Sequence, residues 1–356
     1  MSIESYGGNP DIVATREEIQ RVALEIKLCA ETLNAWNPFE SLWSDPLHQI
    51  QYRVLSGSVL QKLERLYFHC MVAAENYFTT EAQIHRRFEI AFIPKLAELT
   101  TNIGTSLGWK LDNKASAILA HQTTSTKTNS ITQMLDRLWR LSSKDLPTIG
   151  VDLFENPSGT KTAVVYVPGT QTFSFGEGTN PLDMASNVQA MSGAGKAASE
   201  KAVLLAIRQA GINPTDEVIL VGHSQGGMVA GNIAAYPSGF IAAGLVAFGA
   251  PLAQIKNLKV PVMAIEHVND PVPNLSGKAN PMKKNWVSVQ RISEKPESDA
   301  LMFSHSLKSY RNTTSAIDVS NDVGIKNVKQ DIFQKLAVAK PSKSFEFVIS
   351  RESVRP

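Results

Sequence analysis

Three observations predict an α/β fold: a mostly parallel sheet with flanking helices, preceded by an all-α N-terminal domain. Val218-Ile-Leu-Val-Gly-His-Ser-Gln-Gly-Gly227 is an apolar, β-branched run that breaks at glycines and passes into the helical stretch Met228 to Ala235. Short apolar runs recur between residues 149 and 289, spaced to leave room for helices between them. Before residue 100, apolar residues instead recur at helical spacing. The expected division is residues 1–145 as a helical hairpin or bundle and 146–356 as the α/β domain.

Caps and breakers set the N-terminal elements. Thr15-Arg-Glu-Glu18 has capping-box spacing, and Ile19, Val22, Ala23, Ile26 and Leu33 continue it at helical intervals. Asn37-Pro38 ends that helix, and Asp45-Pro46 starts a second with proline at a tolerated first-turn position. Leu60, Leu63, Leu66 and Tyr67 carry the second helix to about Phe78. A third covers Glu81 to Leu99, kinked or broken at Pro94. The polar stretch from His121 to Ser130 reads as a loop or linker, and Met134 to Leu141 as a short last helix. Cys29 and Cys70 fall in these helices with no CxxC or histidine spacing, and read as buried thiols.

In the second half, Ile149 to Glu155 and Thr162 to Val167 flank Asn156-Pro-Ser-Gly159, a hairpin signal. A long helical stretch, about Asn187 to Ala210, precedes the strand at Val218. Leu245 to Phe248, Val260 to Ile265 and Trp286 to Val289 supply later strands, and the alternating Ser344 to Ile349 a late edge strand. Crossover connections make the order mostly parallel. The insertion from Thr172 to Thr179 is sized for a small flap.

The 356 residues are 43% hydrophobic and 19% charged with a net charge of +2, a balance that suits a globular protein. No basic block with interleaved aromatics appears, so no nucleic-acid partner is expected. No apolar run is long enough to span a bilayer, and Met1 to Pro10 lacks the charged and apolar regions of a signal peptide.

The chemistry concentrates at Gly222-His-Ser-Gln-Gly226. A serine on a sharp strand-to-helix turn needs tiny neighbours two residues before and after, where the backbone passes close to itself. The helix starting beneath it offers free N–H groups and a positive dipole end. A serine hydroxyl is a weak nucleophile until a base takes its proton. Of the histidines after Ser224, His267 lies in a buried-strand run and reads as structural, whereas His305 lies just after a charged loop and before a helical stretch. The acids between Ser224 and His305 are Glu266, Asp270, Glu294, Glu297 and Asp299. Asp270 alone follows a strand directly in a tight turn, Asn269-Asp-Pro-Val-Pro273, whose prolines stiffen the loop. An oxyanion needs two N–H donors: that of Gln225, after the nucleophile, and that of Thr170, in the loop Pro168-Gly-Thr-Gln171.

On its elbow, its Asp-Pro-x-Pro acid loop and its His305 loop, the chain resembles the α/β-hydrolase superfamily over about residues 149–312. Tyr166-Val-Pro-Gly-Thr-Gln171, Asn180-Pro-Leu-Asp-Met184 and Val221-Gly-His-Ser-Gln-Gly-Gly-Met228 are similar to a group of actinobacterial hydrolases assigned as esterases, lipases or peptidases. A catalytic half following a helical region is also the arrangement of that group. A full α/β-hydrolase has a further strand before the nucleophile strand, which this chain omits.

The resemblance implies a catalytic α/β-hydrolase domain over 146–356 with Ser224 as nucleophile, His305 as base, Asp270 as acid and no metal or organic cofactor. The expected reaction is cleavage of a small-molecule or lipid carboxylic ester. A peptidase or amidase on the same groups stays open, as does a catalytically idle hydrolase fold serving as adaptor or secreted module. The N-terminal helices are expected to supply no catalytic group and to offer a surface for a partner protein. Tyr77-Phe-Thr-Thr-Glu81 matches the Tyr-x-x-x-Asp/Glu pattern found after helical hairpins in type VII secretion substrates. Cytoplasmic residence is the default, and type VII-like export the alternative.

Overall fold

The computed structural model describes residues 3–8, 23–28, 31, 59, 62–63, 114–172, 178–183, 186–187, 190, 197–276, 279–293 and 303–351. The chain divides into two compact units, Met1–Asp11 with Phe88–Pro356, and Ile12–Arg87. In the second unit residues 23–28 are helical, as their apolar spacing predicts. The remaining expected N-terminal helices lie largely outside the described residues, as do Cys29, Cys70, Tyr77 to Glu81 and most of the 172–179 insertion.

The first unit is built on a sheet of β1 (Glu4–Gly7), β2 (Ala115–Thr124), β3 (Thr148–Glu155), β4 (Lys161–Val167), β5 (Glu217–His223), β6 (Ile241–Phe248), β7 (Val262–His267), β8 (Trp286–Arg291) and β9 (Lys340–Arg351). Their order is β1-β8-β7-β6-β5-β4-β3-β9-β2. From β4 to β8 neighbouring strands are parallel, while β1 on β8, β3 on β4, β3 on β9 and β2 on β9 are antiparallel. The expected mostly parallel sheet is thus present in a mixed form, with a parallel centre from β4 to β8 and antiparallel margins. Five described helices flank it: α1 (Ile131–Ser142), α2 (Ala198–Gln209), α3 (Gln225–Ala235), α4 (Leu307–Asp318) and α5 (Val323–Ala337).

Side-chain alternation assigns the two faces. Val218 and Leu220 of β5 pack in the same core as Ala202, Val203 and Ala206 of α2 and Val229 and Ile233 of α3. Ile219 and Val221 pack in the opposite core with Met134 and Leu138 of α1, Tyr310 and Ile317 of α4, and Ile325 and Val328 of α5. Helices cover both faces, which is why the central strands read as unbroken apolar runs.

Two sequence expectations need correction. Residues 1–145 are not an all-α domain: β1, β2 and α1 belong to the sheet unit, so the boundary expected after residue 145 does not hold. β2 escaped notice because most of its side chains face solvent and His121-Gln-Thr-Thr124 carries no apolar alternation. Second, Ser344 to Ile349 is not an edge strand. It lies within β9, between β3 and β2.

Candidate active site

The parallel strands end on one side of the sheet, and the candidate groups come from the loops that leave these carboxyl ends. β5 runs directly into α3 through Ser224, which holds φ 54° and ψ −125°. A non-glycine residue in this region stores strain of about 1–3 kcal/mol, maintained by the packing around it. The flanking glycines are dictated by space. A Cβ on Gly226 would overlap the carbonyl oxygens of Val167 and Pro168, and one on Gly222 the carbonyl of Gly226.

Ser224 stands at the N-cap of α3, where a serine Oγ ordinarily accepts a hydrogen bond from a backbone N–H. Ser130 and Ser306 do so at α1 and α4, accepting from Gln133 N and Ser309 N. Ser224 makes no such side-chain bond, and the first turn of α3 carries no acid. Among the described residues the hydroxyl makes no hydrogen bond, and it stands beside the positive end of a helix.

Asp270 follows β7 in a turn closed by its N–H on the carbonyl of His267, 2.9 Å. Its Oδ1 accepts from Val272 N at 2.9 Å, and its Oδ2 from His305 Nδ1 at 2.8 Å and the Tyr310 hydroxyl at 2.7 Å. Asp270 is 1% exposed and His305 7%, so these bonds are shielded from water. The His305 backbone is tied to the elbow: His223 Nε2 donates to its carbonyl oxygen at 2.8 Å, and the two rings lie 4.7 Å apart. Ser224 Oγ and His305 share no hydrogen bond among the described residues. The geometry thus joins the His305 ring to Asp270, and the His305 backbone to the residue preceding the serine. In a resting site the nucleophile–base contact is often long.

The loop after β4 passes close to the serine: a Cβ on Gly169 would stand 3.0 Å from Ser224 Cβ. Thr170 Oγ1 donates to Gln225 Oε1 at 3.2 Å and accepts from Asn187 Nδ2 at 3.0 Å. Among the described residues neither the Thr170 nor the Gln225 backbone N–H has an acceptor, as two oxyanion donors require.

Sequence reasoning missed the supports of this site. Arg351, the last residue of β9, grips Asp183 with Nη1 to Oδ2 at 2.8 Å and Nη2 to Oδ1 at 3.1 Å. The Asp183 carbonyl in turn accepts from Gln225 Nε2 at 3.2 Å. Asp183 lies in the Asn180–Met184 motif, the one local signal that could have marked it. His267 is structural, as expected, with Nδ1 donating to Ser304 O at 2.7 Å and Nε2 accepting from Thr313 Oγ1 at 2.9 Å. Burial lowers its pKa. Burial also pushes the Glu266 carboxyl up to about 7, although Gln290 and Asn280 donate to it.

A cavity of about 1010 Å³ opens away from the serine, against Trp139, His267, Phe303, Lys308 and Thr313. None of Ser224, Asp270 and His305 lines it. Among the described residues no cluster of His, Cys, Asp and Glu could hold a metal ion, and no helix is long and apolar enough to cross a membrane. No protein-family model, curated protein or solved structure matches this chain.

Proposed function

We propose that the sheet unit is an α/β-hydrolase-type serine hydrolase that cleaves a carboxylic ester through an acyl-enzyme. The observation that carries this reading is the uncommitted Ser224 hydroxyl on a strained strand-to-helix turn, beside a His305 whose ring is bonded to Asp270 and whose backbone is bonded to His223. A plain turn serine would need neither the strain nor the buried carboxylate–imidazole pair.

In the mechanism, Ser224 Oγ attacks the ester carbonyl carbon while its proton passes to His305 Nε2. Asp270 holds the Nδ1 proton, fixing the tautomer and stabilising the imidazolium. The carbonyl oxygen becomes an oxyanion that the N–H groups of Thr170 and Gln225 receive. Collapse expels the alcohol, which takes the proton from His305 and leaves Ser224 acylated. Water then attacks the acyl carbon, giving its proton to His305, and the second collapse releases the acid and restores the serine hydroxyl.

A fluorophosphonate probe tests the reading, with Ser224→Ala as control. Labelling of the wild type and not of the variant is expected; equal labelling of both rejects the assignment. p-Nitrophenyl esters of increasing chain length, set beside aminoacyl amides, then separate an esterase from a peptidase or amidase.

A further inference from the structure

We propose that Tyr310 is a positioning residue of the triad: its hydroxyl shares Asp270 Oδ2 with His305 and so sets the place and the basicity of that imidazole. The proposal rests on the serine-hydrolase reading of the site.

Tyr310 is completely buried in α4, which begins just after His305. Its hydroxyl donates to Asp270 Oδ2 at 2.7 Å and accepts from the backbone N–H of His267 at 3.2 Å. Accepting one bond strengthens donation of the other, because such chains polarise each other. Burial, followed by the nearby Asp270 carboxylate, raises the phenol pKa well above its ordinary value, so the group stays a donor through the working pH range.

The ring has little freedom to wander. It stacks on His267 at 3.9 Å with the planes 4° apart, and meets Phe248 and His223 edge-on at 6.3 and 6.4 Å. His267 is itself locked through both ring nitrogens, to Ser304 and Thr313. The junction is also too tight for a side chain at Gly249, which has φ +55°. A Cβ there would stand 2.8 Å from Asp270 Oδ2, 2.9 Å from the Tyr310 hydroxyl and 3.1 Å from His305 Nδ1. Three groups meet at one point, and the backbone at Gly249, just past the end of β6, makes room for them.

Two donors on one carboxylate oxygen divide its charge between them. With Tyr310 present, Oδ2 draws the imidazolium less strongly than an oxygen serving His305 alone. Removing the phenol should therefore favour protonated His305 and free the carboxylate to turn. Among the described residues, the other titratable or charged groups facing this junction are His223 from β5, Glu266 and His267 from β7, and Arg291 from β8. None of them bonds to Asp270 Oδ2.

Tyr310→Phe tests the proposal, since it keeps the ring and deletes one oxygen. The acid limb of kcat/KM on p-nitrophenyl acetate should move up by roughly 0.5–1 pH unit. The plateau kcat should fall about 3- to 30-fold with KM nearly unchanged, the pattern of a misaligned base. In the resting protein, the His305 ring signals followed by NMR should titrate at correspondingly higher pH. A purely structural tyrosine would lower the melting temperature and leave both profiles in place, and that result overturns the proposal. The NMR readout needs no turnover. A wild type that hydrolyses no ester while its His305 titration still moves in the variant supports the positioning role and refutes the ester-hydrolase reading. If Tyr310→Phe does not fold, the wild type still decides. The bond geometry requires a protected Tyr310 hydroxyl proton in cross-relaxation with the His305 Nδ1 proton, and its absence overturns the proposal.

Discussion

His223 Nε2 and the carbonyl oxygen of His305 are joined by a hydrogen bond of 2.8 Å. The donor immediately precedes Ser224 in the chain, so the backbone of the proposed base is registered against that of the proposed nucleophile. The carbonyl can only accept, which places the ring proton of His223 on Nε2. Burial, and then the neighbouring His305, push the pKa of His223 down to about 3, keeping the ring neutral at ordinary pH. Its contribution to stability is thus complete above about 6.5 and is lost as pH falls towards 3.

His223→Phe should retain a ring and lose the donor. A displaced His305 loop should lower kcat on the order of 10- to 100-fold. The orphaned carbonyl should cost about 1–3 kcal/mol of stability. Steady-state kinetics beside thermal unfolding check both numbers. A variant with wild-type kcat would show that the loop finds its place without His223.

Thr170 is predicted to act through its backbone. Thr170→Gly keeps the N–H and should reduce turnover modestly, whereas Thr170→Pro deletes it and should lose roughly 10²-fold or more. The side-chain bond from Thr170 to Gln225 Oε1 is then a local brace only. Equal losses from the two variants, measured as kcat on one ester, would instead assign the role to the side chain or the loop shape.

Arg351 and Asp183 form a pair that is buried on both sides, 6% and 1% exposed. Arg351→Met strands the carboxylate and should cost roughly 3–5 kcal/mol. Adding Asp183→Asn to that variant should recover part of the loss, because no charge then remains buried alone. A double-mutant cycle by denaturant unfolding measures the coupling. Strictly additive losses would contradict it.

Glu266 gives the fold a pH dependence of known sign. Burial holds its carboxyl at about 7 against an ordinary 4.5, so between these values the folded chain keeps a proton that the unfolded chain has released. Stability contributed by this group is present at low pH and is lost as pH rises through that window. Glu266→Gln cannot ionise, so its melting temperature relative to wild type should be higher at about pH 8 than at about pH 5. A pH-independent difference would mean that the carboxyl titrates normally.

What was legible in the sequence was local. The strands at Ile149, Val218 and Trp286 show as apolar runs because helices cover both faces. Ser224 and Asp270 were legible because an elbow and an Asp-Pro turn are written in adjacent residues. β1 was not, since four residues at the N-terminus gain a strand partner only in β8, far along the chain. The Arg351–Asp183 grip was hidden for the same reason. Tyr310 was hidden differently: its helical position marks it as core, and only the fold turns its hydroxyl towards Asp270.

Turnover by Ser224→Ala, compared with wild type on the best ester of a p-nitrophenyl series, tests the central claim most directly. In the proposed mechanism nucleophile, base and acid act as a unit, so removing the nucleophile should lower kcat by roughly 10⁴ to 10⁶ while the melting curve stays near that of the wild type. A folded Ser224→Ala protein that kept more than a few per cent of the wild-type rate would contradict the account.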